Sequence, residues 1–231
     1  MTKLYIIHGW TYKPEPWHDV IKDLKEFGVE AELLRVPGLG TKSEKSFTIE
    51  DYAKWAREKL PKGSIALGHS NGGRILLNLL ANEPDYLNGI ILLDSAGIWE
   101  KENRRKVLKA VAKTLAPLKK SKLIRKVAHR VIGANDYENA PDNMKITLDN
   151  MISSDKQLDV SKVTTPTRII WGSDDKITPL RQGRKLHELL SNSNLTVKEG
   201  WRHSHYLVST KELAEVIANE YKQLVKGGKN A

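Results

Sequence analysis

Ser70 lies in the run Gly68-His69-Ser70-Asn71-Gly72-Gly73, a Gly-x-Ser-x-Gly pattern whose spacing suits nucleophilic chemistry. The apolar stretch Ser64-Ile65-Ala66-Leu67 precedes it and Arg74-Ile75-Leu76-Leu77-Asn78-Leu79-Leu80 follows, which predicts a strand, a sharp turn and a helix. The glycines are needed because such a turn leaves no space for side chains beside the serine. The bend lifts Ser70 Oγ out of the sheet and sets it at a helix start. There, main-chain N–H groups and the helix dipole favour developing negative charge. Ser70 is therefore a candidate nucleophile rather than an ordinary turn serine.

A serine hydroxyl is a weak nucleophile without a base, and the base needs an acid to orient it. Later segments supply both. The buried-strand pattern Thr167-Arg168-Ile169-Ile170-Trp171 runs into Gly172-Ser173-Asp174-Asp175-Lys176-Ile177-Thr178-Pro179. A second short strand, Leu195-Thr196-Val197-Lys198, ends in Glu199-Gly200-Trp201-Arg202-His203-Ser204-His205. Serine, aspartate and histidine thus follow one another in chain order, the last two on loops after strands.

In this order the sequence resembles the α/β-hydrolase superfamily. The matching pieces are Ile6-Ile7-His8-Gly9-Trp10, Val36-Pro37-Gly38-Leu39-Gly40, the Ser70 turn, Gly172-x-x-Asp175-x-x-x-Pro179 and Gly200-x-x-His203. The resemblance covers nearly the whole chain. It implies Ser70 as nucleophile, Asp175 as acid and His203 as base, with the backbone N–H groups of Trp10 and Asn71 binding the oxyanion. Asp174 is a rival acid, although spacing to Pro179 favours Asp175. Asp94, at the end of the strand Ile90-Ile91-Leu92-Leu93, is another. His205 is expected in the pocket wall. His69 is expected under the turn and His8 bonded to backbone, while His18, His129 and His187 have no partner pattern.

Alternation of strands near 4–7, 30–35, 64–67, 89–93, 167–171 and 194–198 with helices near 16–27, 49–59, 71–82, 179–190 and 211–226 predicts an α/β fold. The expectation is a mostly parallel sheet of about six strands, helices on both faces and functional loops at the strands' carboxyl ends. Larger members of the superfamily carry a hairpin before the strand that leads into His-Gly. This chain lacks it, so the sheet should be trimmed at that edge. Residues 97–159 interrupt the pattern. Apolar positions there fall at helical spacing (Val107, Val111, Leu115, Leu118, Leu123, Ile124, Val127, Val131), and relatives insert a helical lid at this place. The expected organisation is a core of 1–96 and 160–231 with a lid of 97–159.

The charge is concentrated in that insertion. Residues 101–130 hold twelve lysines and arginines against one acid, Glu102, so the chain's net charge of +10 resides there. A solvated helical face is one reading. An electrostatic funnel for an acidic carrier protein, an anionic surface or a carboxylate-bearing substrate is the other. Aromatic residues are scarce in this stretch and no nucleic-acid motif is recognised, so nucleic acid is not expected. Of six tryptophans, Trp10, Trp99 and Trp201 are expected to line an apolar acyl pocket, and Trp17, Trp55 and Trp171 to pack in the core.

With 231 residues the chain can build one large core. It has no cysteine, no metal-ligand spacing and no apolar run that could span a bilayer. Strand residues begin at Leu4, which leaves no room for a signal peptide. A cytoplasmic monomer with no metal or other cofactor is expected. The activity implied is hydrolysis of a small-molecule carboxylic ester through an acyl-enzyme. The His-Gly-Trp start, the Pro-Gly-Leu-Gly loop and the basic segment are also similar to carrier-protein methyl ester esterases, whose serine motif often reads Gly-Trp-Ser-Leu-Gly instead. The same triad serves carbon–carbon and lactone hydrolases. A slow-turnover ligand- or acyl-carrier-binding module on this fold is the alternative from another class.

Overall fold

The structure, a computed structural model, describes residues 3–99 and 140–227. Six strands form one sheet: β1 (Leu4–Ile7), β2 (Ala31–Leu34), β3 (Ile65–His69), β4 (Gly89–Leu93), β5 (Thr167–Gly172) and β6 (Ser193–Lys198). Their order is β2-β1-β3-β4-β5-β6 and every adjacent pair is parallel. The described helices are α1 (Trp17–Glu26), α2 (Ile49–Lys59), α3 (Asn71–Asn82), α4 (Asp142–Ser154), α5 (Leu180–Leu189) and α6 (Thr210–Gly227).

Parallel strands must be joined by crossovers, so helices cover both faces and the strands are apolar on both sides. β3 and β4 are buried at every position. Leu4, Ile6, Ile65, Leu67, Ile91 and Leu93 pack on one face with Trp17 of α1 and with Leu213 and Ile217 of α6. Ile7, Ala66, Ile90, Leu92, Ile169 and Trp171 pack on the other with α2, α3 and Leu186 of α5. α2 starts at a capping box: Thr48 Oγ1 accepts from Asp51 N–H, and an Asp51 carboxylate oxygen accepts from Thr48 N–H.

The register aligns the strands' carboxyl ends, pairing Ile7 with Gly68, His69 with Leu93 and Gly172 with Lys198. From β1 the chain turns to β2 on one side, then crosses back to place β3 on the other. Connections diverge in this way at the ends of β1 and β3, the place where open α/β sheets generally bind ligands. Predicted elements agree with the observed ones to within two residues. α4 is an addition, since no helix was delimited there from the sequence. It docks on the loop after β2: Thr147 Oγ1 accepts from Phe47 N–H, Asn150 Nδ2 donates to Phe47 O, and Asn143 Nδ2 donates to Ser43 O and Lys45 O. The basic segment 101–130, the apolar positions from Val107 to Val131 and His129 lie outside the described residues. Among the described residues no helix is long and apolar enough to cross a membrane.

Candidate active site

Ser70 occupies the turn between β3 and α3 with φ 51° and ψ −116°. Asp94 (φ 43°) is the one other described non-glycine residue with positive φ. Such backbone costs about 1–3 kcal/mol and persists only where its surroundings enforce it. Here the enforcement is steric. A Cβ on Gly68 would lie 2.5 Å from Gly73 N, and one on Gly72 would collide with the Ile7 carbonyl. Gly9, in the loop after β1, is equally constrained, since a Cβ there would stand 2.9 Å from Ser70 Cβ. The Ser70 carbonyl accepts from Gly73 N–H and Ala96 N–H, tying the turn to the loop after β4.

His203 and Asp175 come from neighbouring loops that are bonded to each other. Asp174 N–H donates to Trp201 O, Gly200 N–H to Ser173 Oγ, and Ser173 N–H to Lys198 O. His203 Nε2 lies 2.9 Å from Ser70 Oγ, and its Nδ1 lies 2.7 Å from Asp175 Oδ2. Asp175 Oδ1 accepts from the backbone N–H groups of Ile177 and Thr178, and Thr178 Oγ1 donates to Oδ2 at 2.7 Å. Burial alone would raise the Asp175 carboxyl. The His203 charge and these donors outweigh it and hold Asp175 below its ordinary value. Burial likewise opposes charge on His203, but Asp175 prevails and raises it. The arrangement can deprotonate Ser70 Oγ through Nε2 while the ring carries its other proton on Nδ1, facing a carboxylate.

The rival acids are placed otherwise. Asp174 is exposed. Asp94 is fully buried, with Oδ1 accepting from Gly172 N–H and Oδ2 lacking a partner among the described residues. Burial, and then the Asp175 charge, push its pKa well above the carboxylate range, which favours its neutral form. The Asp94 carbonyl accepts a contact from Thr178 Oγ1 at 3.0 Å.

The two expected oxyanion residues come from the segments next to Ser70. Asn71 opens α3, where the first N–H groups have no intrahelical acceptor. Trp10 follows Gly9, which touches Ser70. His8 supports this loop: Nε2 accepts from Val36 N–H, so Nδ1 carries the proton and donates to Gly9 O. Burial lowers its pKa to about 4. His69 is packed against Trp17 and Tyr206 and bonds through Nε2 to His203 O at 2.8 Å. Burial lowers it to about 3. His18 and His187 are exposed.

Trp201 and His205, expected in the pocket wall, are both buried. Their rings stack at 3.8 Å, Trp201 packs in the layer with α1 and α6, and both donate to Glu212 of α6. Two aromatic groups with polar edges met an acceptor on the last helix, and so they brace the His203 loop from behind. Trp99 is half-buried under Lys156, whose Nζ lies 4.6 Å from the ring centre. Trp10 is half-buried against the core. Trp17 and Trp171 are fully buried.

Three contributors escaped the sequence reading. Thr178 lies inside the quoted Asp175–Pro179 spacing, but nothing marked its hydroxyl. Arg74 was visible as one cation in an otherwise apolar helix start, which signals a required partner. That partner, Asp155 just after α4, lies far along the chain. Arg74 Nε and Nη2 donate to its two carboxylate oxygens at 2.7 and 2.8 Å, and Arg74 Nη1 donates to Asn71 Oδ1. Among the described residues no group of three or more His, Cys, Asp or Glu could hold a metal.

The fold agrees with what the chain is similar to. The alpha/beta hydrolase fold family matches it over residues 3–165. The pimeloyl-[acyl-carrier protein] methyl ester esterase of Neisseria meningitidis serogroup B (strain MC58) is 26% identical, over 98% of this chain and 93% of that protein. The crystal structure of a Nitrososphaera carboxylesterase matches with a TM-score of 0.73 at 17% identity, covering 98% of this chain and 92% of the other. The meta-cleavage product hydrolase of Pseudomonas fluorescens matches with a TM-score of 0.68 at 18% identity, covering 96% and 91%. With the family matched over most of its length, the chain belongs to the alpha/beta hydrolase fold family.

Proposed function

We propose that this protein is a serine hydrolase that cleaves carboxylic esters through an acyl-enzyme. The observation that carries the reading is the continuous line Asp175 Oδ2–His203–Ser70 Oγ, with links of 2.7 and 2.9 Å. His203 Nε2 takes the Ser70 proton as Oγ bonds to the ester carbonyl carbon. The carbonyl electrons move to oxygen, which the Trp10 and Asn71 amides hold, each such donor contributing about 3–4 kcal/mol. His203 returns its proton to the departing alcohol. Water, deprotonated by His203, then attacks the acyl-enzyme, and Ser70 regains its proton as the acid leaves. Asp175 keeps the imidazole in the required tautomer and stabilises its charged form.

The finer reading is an ester carried on an acidic carrier protein. Two observations support it: relatives named as acyl-carrier-protein methyl ester esterases, and the twelve bases of residues 101–130. In this reading residues 97–159 form a helical lid. α4 is its return arm, anchored to the loop after β2 and to Arg74.

The test is kcat/KM on p-nitrophenyl esters of increasing acyl length for wild type and Ser70→Ala. Ser70-dependent turnover supports the esterase, and its length optimum sizes the pocket. Absence of Ser70-dependent turnover on every ester shifts the reading to a binding module or another bond. Salt-sensitive binding of an acidic acyl carrier protein, weakened in Lys119/Lys120/Lys122→Gln, tests the funnel. Unchanged binding reduces the charge to a solvated face.

A further inference from the structure

Unpartnered buried polar atoms gather around the Ser70 turn. Among the described residues, Asn71 Nδ2 and Trp10 Nε1 are buried donors with no hydrogen-bond partner. Leaving such a donor unpaired costs about 1–3 kcal/mol, so each calls for an explanation. Asn71 offers the sharper case because its carboxamide cannot be turned round. Arg74 has only donors, so the atom that receives Nη1 must be the oxygen. Arg74 is itself held by both oxygens of Asp155, and the two side chains are 7% and 5% exposed. The clamp therefore commits Oδ1 and leaves the NH₂ end free. Asn71 is 4% exposed, and helical side chains lean toward the helix N-terminus, which here is Ser70.

The structure assigns the Asn71 carboxamide to substrate recognition: Nδ2 donates a hydrogen bond to an oxygen acceptor on the acyl chain, near the reacting carbonyl. This rests on the esterase reading and adds a substrate class, acyl groups that carry an ether, carbonyl or hydroxyl oxygen rather than plain alkyl chains. Asp155 and Arg74 are positioning residues for that donor. A site built to bond an oxygen rejects the analogue lacking it, because the buried donor is then left unpaired.

The experiment uses three matched pairs of p-nitrophenyl esters. Methoxyacetate, 3-methoxypropanoate and 4-methoxybutanoate are each compared with the all-carbon chain of equal length, with rates divided by those of hydroxide hydrolysis. Wild type is expected to favour the ether ester about tenfold in kcat/KM at one of the three positions. Asn71→Leu and Arg74→Met, which frees the carboxamide, bring that ratio to about one while turnover stays Ser70-dependent. Asn71→Asp keeps the Arg74 contact but replaces the donor by an acceptor, and it serves where the other variants fail to fold. Its expected ratio is below one. A wild-type ratio near one at all three positions, with Ser70-dependent turnover, overturns the assignment and leaves the esterase intact. So does a ratio that survives Asn71→Leu. An equal fall on all six esters in Asn71→Leu also overturns it, because the carboxamide then serves the common carbonyl. Absence of Ser70-dependent turnover on all six removes the esterase reading and this assignment together.

Discussion

Replacing Asp175 by Asn isolates the electrostatic part of the Ser70–His203–Asp175 arrangement. Asp175 Oδ1 receives two backbone N–H groups, so an Asn must keep its oxygen there. Its NH₂ then takes the place of Oδ2, facing Thr178 Oγ1 and His203 Nδ1. The Thr178 hydroxyl can rotate and accept. His203 cannot donate to a donor, so it moves its proton to Nε2, the atom 2.9 Å from Ser70 Oγ. The ring is then held in the tautomer that cannot receive the serine proton. The expected loss in kcat is about 10⁴-fold, the size seen when a triad acid is made an amide. At 1.36 kcal/mol per decade this is about 5.4 kcal/mol of transition-state stabilisation. Asp94→Asn is the matched control. Its Oδ1 keeps the Gly172 N–H bond, and the raised pKa of Asp94 favours the neutral form that the amide mimics, so kcat should stay within about threefold of wild type, no hydrogen bond being lost. Both are measured as Ser70-dependent ester turnover at pH 8 and as the rate of fluorophosphonate labelling. An Asp175→Asn enzyme with near-normal rates beside an inactive Asp94→Asn enzyme would refute the argument and move the acid to β4.

The kcat/KM profile should rise with pH through an apparent pKa above the ordinary histidine value of 6.5, because Asp175 raises His203 and the base must be neutral. Stability carries the opposite sign for that group. A raised His203 contributes fully below 6.5, and the contribution is lost as pH rises through its folded value. His8 and His69 act the other way. Their folded values of about 4 and 3 mean that the unfolded chain takes up protons first, so stability should fall as pH drops from 6.5 toward 3, and Asp175 loses its contribution at the acid end of that range. Urea midpoints at fixed pH values should show this acid-side loss, reduced in His69→Gln. Asp155→Ala strands a buried guanidinium and should cost about 3–5 kcal/mol in urea unfolding, most of it regained in the double variant Arg74→Met/Asp155→Leu. A cost below 1 kcal/mol for the single variant would mean that Arg74 is not buried as described.

Periodicity and turn chemistry alone delimited the strands and most helices, because the central strands β3 and β4 are continuous apolar runs buried at every position and α1, α2 and α6 each carry one apolar side. Ser70 was legible for the same kind of reason. Its bend needs glycine at Gly68 and Gly72, and both were in the motif, while the Gly200-x-x-His203 spacing singled out the histidine. The partners met across long gaps were not legible. Asp155 reaches Arg74 because α4 docks on the loop after β2, and Trp201 and His205 meet Glu212 because α6 packs against their loop. The resemblance named Asp175 as the acid and left Asp94 as a rival, without a physical reason for the difference. Asp94 and Asp175 both follow buried strands, and what separates them is the set of donors each meets once folded. Asp175 gains two amides, a hydroxyl and an imidazole, which lower its pKa, whereas Asp94 gains a single amide and burial raises its pKa. Local sequence fixes which backbone shapes form, but charge state depends on neighbours that only the tertiary structure assembles.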